Sequence, residues 1–185
     1  TTKLTKNKNI VKNYTYDSAG NKTAFAVKVG EDTKLSLKYT YDGESKLTAV
    51  TDETGNEIAG YTYDTDGNLA ERTVAGNGMT TTYAYDYQNR LTAMKNRTGS
   101  AGIISEYNSE YLANGQKSKE TSDTIDKNGK KSTKTATYTY DLLGRITKET
   151  KTGREDISYT YDSNNNRKEM KAGNKVTAYK YNKND

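Results

Sequence analysis

Polar and apolar positions alternate along most of this chain with a period of two residues. Between residues 34 and 41, Leu35, Leu37, Tyr39 and Tyr41 take every second position, and Lys, Ser or Thr takes each position between them. Strict alternation of this kind is typical of a β-strand with one covered face and one solvated face. No stretch of comparable length has the spacing of an amphipathic helix. The pattern therefore predicts an all-β chain.

A short motif, Tyr-x-Tyr-Asp, ends many of the alternating segments. Its six intact copies contain the tyrosine pairs Tyr14 and Tyr16, Tyr39 and Tyr41, Tyr61 and Tyr63, Tyr83 and Tyr85, Tyr138 and Tyr140, and Tyr159 and Tyr161. The aspartates that follow are Asp17, Asp42, Asp64, Asp86, Asp141 and Asp162. A degenerate copy lies at residues 109–112, and a last copy carries Tyr179 and Tyr181 but has Asn182 in place of Asp. Eight copies in tandem predict a repeat protein.

Each intact copy is followed by a turn signal three residues after its aspartate. The residues at this position are Gly20, Ser45, Gly67, Asn89, Gly144 and Asn165. Asp at the first position of a type I turn, with Gly or Asn at the fourth position, is typical of a bulged β-hairpin. Glycines such as Gly55 and Gly129 mark the opposite ends of the hairpins. Strands and turns together predict an antiparallel up-and-down meander of about 15 strands.

The repeats also predict how the chain is divided. Tandem hairpins span residues 10–182, after a leader at residues 1–9 and before the start of a further copy at residues 183–185. The chain begins with Thr and ends inside a copy, so we expect it to be a segment of a longer parent protein. The expected partners are flanking repeats or domains of the same parent chain, and unpaired edge strands would also permit edge-to-edge self-association.

Composition limits the available chemistry. The 185 residues include no His, Cys, Pro or Trp, one Phe and 17 Tyr, and only 31% are hydrophobic. Without His and Cys the chain lacks a Ser-His-Asp or Cys-His catalytic system and the usual nitrogen and sulfur ligands of zinc. Because aliphatic residues are few, we expect tyrosine rings, packed in a ladder across the strands, to cover the sheet.

Charge and hydropathy argue against two classes of partner. The net charge of +5 comes from basic residues interleaved with acidic ones, which does not favour nucleic-acid binding. No apolar run approaches the roughly 20 residues that a membrane span requires.

Four acidic groups were weighed as candidate sites. Residues 64–68 resemble the start of a calcium loop, but Ala75 stands where such a loop needs Glu, so a turn and no metal site is predicted; the shorter segment 126–129 is interpreted in the same way. The pairs Glu53 and Glu57, and Glu155 and Asp156, are interpreted as surface charges and not as glycosidase carboxylates. We predict no catalytic residue and no cofactor.

The segment 138–146 reads Tyr-x-Tyr-Asp-x-x-Gly-Arg-Ile and resembles the repeat of the Rhs/YD-repeat family. This family includes bacterial polymorphic toxins, wall-associated proteins and toxin-complex shell subunits and, more distantly, teneurins. The resemblance implies a curved or spiralling β-sheet that builds a hollow shell, which in some members encloses a toxic domain. It assigns the tyrosine pairs, the aspartates and the turn residues to architecture, and it implies a secreted or surface-displayed bacterial protein.

Two functions remain open at this stage. The first is a non-catalytic structural segment of a shell or stalk. The alternative is a module that binds carbohydrate or a cell-wall polymer through exposed rows of tyrosine. Nothing in the chain resembles the self-cleaving aspartyl segment of some family members.

Overall fold

The computed structural model of the chain describes residues 9–99 and 102–182. Within them, the only helical segment is one turn of 3-10 helix at Ala75–Asn77. The strands are β1 (Ile10–Tyr16), β2 (Lys22–Val29), β3 (Asp32–Tyr41), β4 (Leu47–Thr51), β5 (Glu57–Tyr63), β6 (Leu69–Val74), β7 (Met79–Tyr85), β8 (Leu91–Thr98), β9 (Gly102–Tyr111), β10 (Lys117–Ile125), β11 (Lys131–Tyr140), β12 (Ile146–Lys151), β13 (Ile157–Tyr161), β14 (Arg167–Ala172) and β15 (Lys175–Ala178). The order in the sheet is the order in the chain, from β1 to β15. The predicted all-β antiparallel meander of about 15 strands is confirmed.

The chain divides into two compact units, each of which is a single layer of sheet. The described part of the first unit is residues 9–82 and 98–99, and that of the second unit is residues 83–97 and 102–182. Side chains are rarely buried: among the described residues, only Ala59 and Thr81 in the first unit and Ala136 in the second are. No helix in the described part of the chain is long and apolar enough to cross a membrane.

In the first unit, the strand register gathers the apolar residues on one face of the sheet. Tyr39 lies opposite Val50, and Val50 lies opposite Ala59. The series continues across β6 and β7 through Val74 and Met79. Residues directly opposite each other share a face, so all of these lie on the same side. We call this side the tyrosine face.

In the second unit, the tyrosine face is more polar. Ala136 of β11 lies opposite Glu120 of β10 on one side and opposite Lys151 of β12 on the other. Tyr107 of β9 lies opposite Ser122. Charged and hydroxyl side chains therefore take positions that are held by apolar ones in the first unit.

A β-bulge accompanies the second tyrosine of the repeat. Thr40 lies opposite Ala49, but Tyr41 lies opposite Leu47, so Thr48 is an extra residue in β4. The same shift occurs next to five further second tyrosines, which are Tyr16, Tyr63, Tyr111, Tyr140 and Tyr161. A bulge disturbs the hydrogen-bonded ladder and increases the local right-handed twist.

Candidate functional site

The aspartate of the repeat closes the hairpin turn with its own carboxylate. Asp17 Oδ1 accepts the N–H groups of Ala19 at 3.0 Å and Asn21 at 2.8 Å, and Asp17 Oδ2 accepts the side-chain amide of Asn21 at 3.0 Å. The backbone of Gly20 donates to the carbonyl of Asp17 at 3.1 Å. The same pair of N–H bonds to Oδ1 is present at Asp42, Asp64, Asp86, Asp141 and Asp162.

The residue three positions after the aspartate needs a left-handed backbone conformation. Gly20, Gly67 and Gly144 have φ values of 87°, 84° and 78°, which glycine adopts without strain. The non-glycine residues at this position, Ser45, Asn89 and Asn165, have φ values of 64°, 59° and 70°. Asn tolerates this region better than most residues, so Ser45 is the least favourable choice among them.

Two further turns of this type close the opposite ends of hairpins. The sequence analysis predicted the turn at residues 126–129 but missed the turn aspartate Asp52. Asp52 accepts the N–H groups of Thr54 and Asn56, both at 2.9 Å, and Asp126 accepts those of Asn128 and Lys130 at 2.8 and 2.9 Å. The signal that could have found Asp52 is Asp-x-x-Gly without the preceding tyrosines, since Gly55 follows Asp52 at the same spacing as Gly129 follows Asp126.

The turn hydrogen bonds favour the charged carboxylates. Side-chain hydrogen bonds, first from Thr54 and then from Asn56, lower the pKa of Asp52 to about 2. The N–H of Asn21 lowers the pKa of Asp17, and the N–H of Arg145 lowers that of Asp141. At Asp64 and Asp86, burial is the largest influence and raises the pKa, but the turn hydrogen bonds together outweigh it, so the net pKa is lowered.

The hydroxyl of the second tyrosine bonds to the preceding hairpin. Tyr41 Oη donates to the carbonyl of Lys22 at 2.9 Å, and Tyr63 Oη donates to the carbonyl of Leu47 at 2.8 Å. The same bond joins Tyr111 to Leu91, Tyr140 to Lys117, Tyr161 to Ile146 and Tyr181 to Arg167. In every pair the acceptor lies five residues after the preceding aspartate, or after Leu112 in the degenerate copy. The acceptors Lys22, Leu47, Lys117, Ile146 and Arg167 lie at a bulge where the β-ladder pairing shifts. We call this contact the tyrosine–bulge bond.

The residue four positions after the aspartate, here named the turn-end residue, also reaches the next repeat. Arg145 binds Asp141 of its own turn at 2.7 Å and Asn165 of the next turn at 2.8 Å, and its guanidinium lies 4.4 Å from the ring centroid of Tyr161. Arg90 lies 4.7 Å from the ring centroid of Tyr111. The turn-end residues that contact the following turn or ring in the same way are Asn21, Lys46 and Gln116.

Cations cover several of the tyrosine rings, in contrast to the expected ladder of stacked rings. Strands that end in the motif alternate with strands that do not, so rings of consecutive repeats are about 10 Å apart, which is two strand spacings. For example, Arg72 of β6 lies directly opposite Tyr61 of β5 and directly opposite Thr81 of β7. The strand next to Tyr61 therefore presents an arginine to it and not a ring. A close ring pair in the described part of the chain is Tyr14 with Phe25, whose centroids are 5.0 Å apart.

The first tyrosines of the copies lie on the tyrosine face without meeting in one cluster. Tyr39, Tyr61, Tyr83, Tyr138, Tyr159 and Tyr179 are half-buried. Lys22 covers the ring of Tyr39 at 4.2 Å, and Arg167 covers that of Tyr159 at 4.5 Å. Tyr85 is half-buried at the end of β7, and Tyr14 and Tyr16 on the first strand are exposed.

The acidic groups weighed as catalytic or metal sites lie in turns and at strand ends. Residues 64–68 form the turn between β5 and β6, and the carboxylate of Asp64 is bonded within that turn. Glu57 accepts the hydroxyl of Thr73 at 3.3 Å, and Asp156 pairs with Lys148 at 2.8 Å. In the described ranges no group of three acidic, His or Cys residues could hold a metal ion.

Fold and contacts together define a tandem-repeat β protein in which six tyrosine–bulge bonds join a hairpin to the one before it. The family model of the teneurin YD-shell matches residues 2–116, which is more than half of the chain. The chain belongs to the teneurin YD-shell family, which confirms the resemblance to YD repeats and supports a structural shell role.

Among solved structures, the chain is similar to proteins of low sequence identity. A porin-like protein from Bacteroides uniformis is 16% identical with a TM-score of 0.41, and the match covers 92% of this chain and 87% of that chain. The Tc holotoxin pore of Photorhabdus luminescens is 14% identical with a TM-score of 0.29 over 97% of this chain. This chain spans 14% of the length of that toxin chain. No curated protein matches.

Proposed function

We propose that the chain is a non-catalytic section of the wall of a β-shell or stalk in a secreted or surface-displayed YD-repeat protein. The tyrosine–bulge bond carries this proposal. In six of the eight copies the second tyrosine donates its hydroxyl to a neighbouring hairpin, as is expected of a group that holds the wall together. Lys and Arg turn-end residues reinforce the same junctions through ring and turn contacts.

In the parent protein, we propose, the sheet curves into a shell and continues through flanking repeats. The exposed apolar side chains of the first strand support this proposal. Ile10 is 67% exposed and Val11 is 46% exposed, which is expected of an edge strand that is covered by another strand or domain. The shell would enclose a toxin domain. The same open edge would permit edge-to-edge self-association.

The proposed repeat region is residues 10–182, with Tyr, Asp, Gly and Asn of each copy in structural roles. The proposed leader at residues 1–9 and the truncated continuation at residues 183–185 fall almost wholly outside the described residues, which begin at residue 9 and end at residue 182.

Glycan or cell-wall polymer binding through the tyrosine rows stays a prediction. It requires rings and hydroxyls that are open to a ligand. Since the six tyrosine–bulge bonds occupy the hydroxyls and cations cover several rings, these contacts favour the structural role for the repeat tyrosines.

A comparison of two double variants tests the structural role. Replacing Tyr61 and Tyr63 with Ala removes half-buried rings and one tyrosine–bulge bond, and we expect a loss of several kcal/mol in the free energy of unfolding. The matched control replaces Tyr14 and Tyr16, which are exposed on the first strand, and should cost much less. Equal thermal melts for the two double variants would contradict the structural role.

A further inference from the structure

The degenerate copy changes the tyrosine face of the second unit. Ser109 stands where the other copies have their first tyrosine, and Tyr111 keeps the second position. Tyr107, one of two tyrosines that lie outside the motif, comes two residues before Ser109 on the same face and is 38% exposed. The small side chain of Ser109 thus leaves open space beside an exposed aromatic ring.

Two adjoining cavities occupy this part of the tyrosine face. The smaller one, of about 250 Å³, is lined by Met94, Tyr107 and Ser109 together with Glu120. The larger one, of about 580 Å³, is lined by Glu120, Ser122, Lys134, Lys151 and Arg154 among others. Glu120 lines both, so the two cavities adjoin at its side chain, and Tyr107 lies opposite Ser122, which lies opposite Lys134 on the same face. We call the two cavities together the degenerate-repeat groove.

The groove has uncompensated positive charge. Glu120 pairs with Lys117 at 2.9 Å, and Lys151 pairs with Glu149. Lys134 and Arg154 are exposed, and neither forms an ion pair within the described ranges. Two cations in one cavity without carboxylate partners are suited to an anionic group, since charge-assisted bonds to carboxylate or phosphate are strong.

We propose that the degenerate-repeat groove binds an acidic saccharide. The ring of Tyr107 provides a flat surface with an apolar body for a sugar ring, in a cavity of the size that small ligands occupy. Glu120 accepts sugar hydroxyl groups between the two cavities, and Lys134 with Arg154 holds a carboxylate or phosphate on the same ligand. The shell role does not depend on this site, so the two proposals can fail separately.

Calorimetric titration of the full chain with four probes tests the proposal. The probes are tetragalacturonate, glucose 1-phosphate, neutral maltotetraose and inorganic phosphate. We expect one of the two acidic saccharides to bind at least about tenfold more tightly than maltotetraose and than inorganic phosphate. The tighter of the two identifies carboxylate or phosphate as the preferred anion. Failure of both acidic saccharides to bind would overturn the proposal, as would equal affinity for inorganic phosphate.

Matched variants locate the binding. The double variant Lys134→Gln with Arg154→Gln should weaken binding at least about tenfold, and Tyr107→Leu should weaken it as well. The charge control replaces Lys127 and Lys130, exposed in the turn between β10 and β11, with Gln, and the ring control is Tyr87→Leu, which changes the other non-motif tyrosine at 88% exposure. Both controls should bind like the parent chain. Binding that is equally affected by groove and control variants, with all melts unchanged, would place the ligand elsewhere and overturn the proposal.

Discussion

At the scale of single residues, the second tyrosine of the motif joins neighbouring repeats. The ring of Tyr63, for example, is half-buried on the tyrosine face, and its hydroxyl donates to the carbonyl of Leu47 at the bulge of the preceding hairpin at 2.8 Å. A bulge interrupts the regular ladder, so a side-chain donor next to it is useful. The motif recurs along the chain, and six of its copies make this contact with the preceding hairpin.

Removing one such hydroxyl should have a measurable and local cost. We expect Tyr63→Phe to lower the free energy of unfolding by about 1 kcal/mol, because the carbonyl of Leu47 loses its donor while the ring stays in place. Tyr16→Phe is the matched control, since Tyr16 is 61% exposed on the first strand. Urea denaturation of both variants measures the difference. The bond would be of no energetic consequence if the two variants lost the same stability.

The contribution of the turn-end residue Arg145 to stability should depend on the shape of its side chain as well as on its charge. Arg145 contacts Asp141, Asn165 and the ring of Tyr161 at once, which a flexible ammonium group does not reproduce. We expect Arg145→Lys to cost about 1 kcal/mol in chemical denaturation. Arg154→Lys, at an exposed arginine without an ion pair in the described ranges, should cost little, and a similar cost for both would contradict this role.

At the scale of the hairpin, each turn is built around a carboxylate. Asp17, Asp52 and Asp141 accept backbone N–H groups two and four residues later. Hydrogen bonds to the carboxylates lower their pKa values, chiefly side-chain bonds from Thr54 and Asn56 at Asp52 and backbone N–H bonds at Asp17 and Asp141. The backbone conformation of each of these turns is therefore linked to the charge of its carboxylate. The hairpin turn depends on the ionised form of its aspartate.

Acid should destabilise the hairpins in a defined range of pH. The pKa of Asp52 is about 2 in the folded chain, below the value of about 3.9 in an unfolded chain. Its stabilisation is therefore complete above about pH 4 and is lost as the pH falls toward 2. Thermal melts at a series of pH values measure this loss. The variant Asp52→Asn should be less stable at neutral pH and should lose less stability on acidification, and an identical pH profile would contradict the assignment.

At the scale of the whole molecule, stability is spread over many junctions, because hardly any side chain in the described residues is buried. Repeat proteins gain stability from contacts between adjacent repeats. Here those contacts are polar and aromatic: strand pairing, tyrosine–bulge bonds and cations over rings. A sheet without a deep core is consistent with a wall that has two accessible faces.

The absence of histidine should give the molecule a flat pH profile near neutrality. No side chain titrates at an ordinary pKa between about pH 5 and pH 8. Burial raises the pKa of Tyr63 and of Tyr140 above 10, so their stabilisation is complete below about pH 10 and is lost as the pH rises further. Melts should be constant across the neutral range and fall in alkali together with tyrosinate absorbance. A transition near pH 6.5 would contradict this expectation.

The sequence by itself determined the strands, the chain-order meander and the family, because these depend on local signals. Period-two alternation defines a strand, and Asp with Gly or Asn three residues later defines a turn, as at Asp17 and Gly20. Asp52 was missed only because no tyrosine pair precedes it. Turn chemistry is carried by a few adjacent residues and needs no distant partner.

Only the tertiary structure decided which residues meet across strands. The tyrosine–bulge bond joins Tyr140 to Lys117, 23 residues apart, and its acceptor is set by a register shift that alternation does not encode. The strand between consecutive repeats keeps their tyrosine rings from stacking, so cations cover them instead. The groove beside Tyr107 likewise arises because Ser109, Glu120 and Lys134 come together only when three strands pair. Side-chain partners depend on the register and spacing of folded strands, which is why they could not be obtained from the sequence.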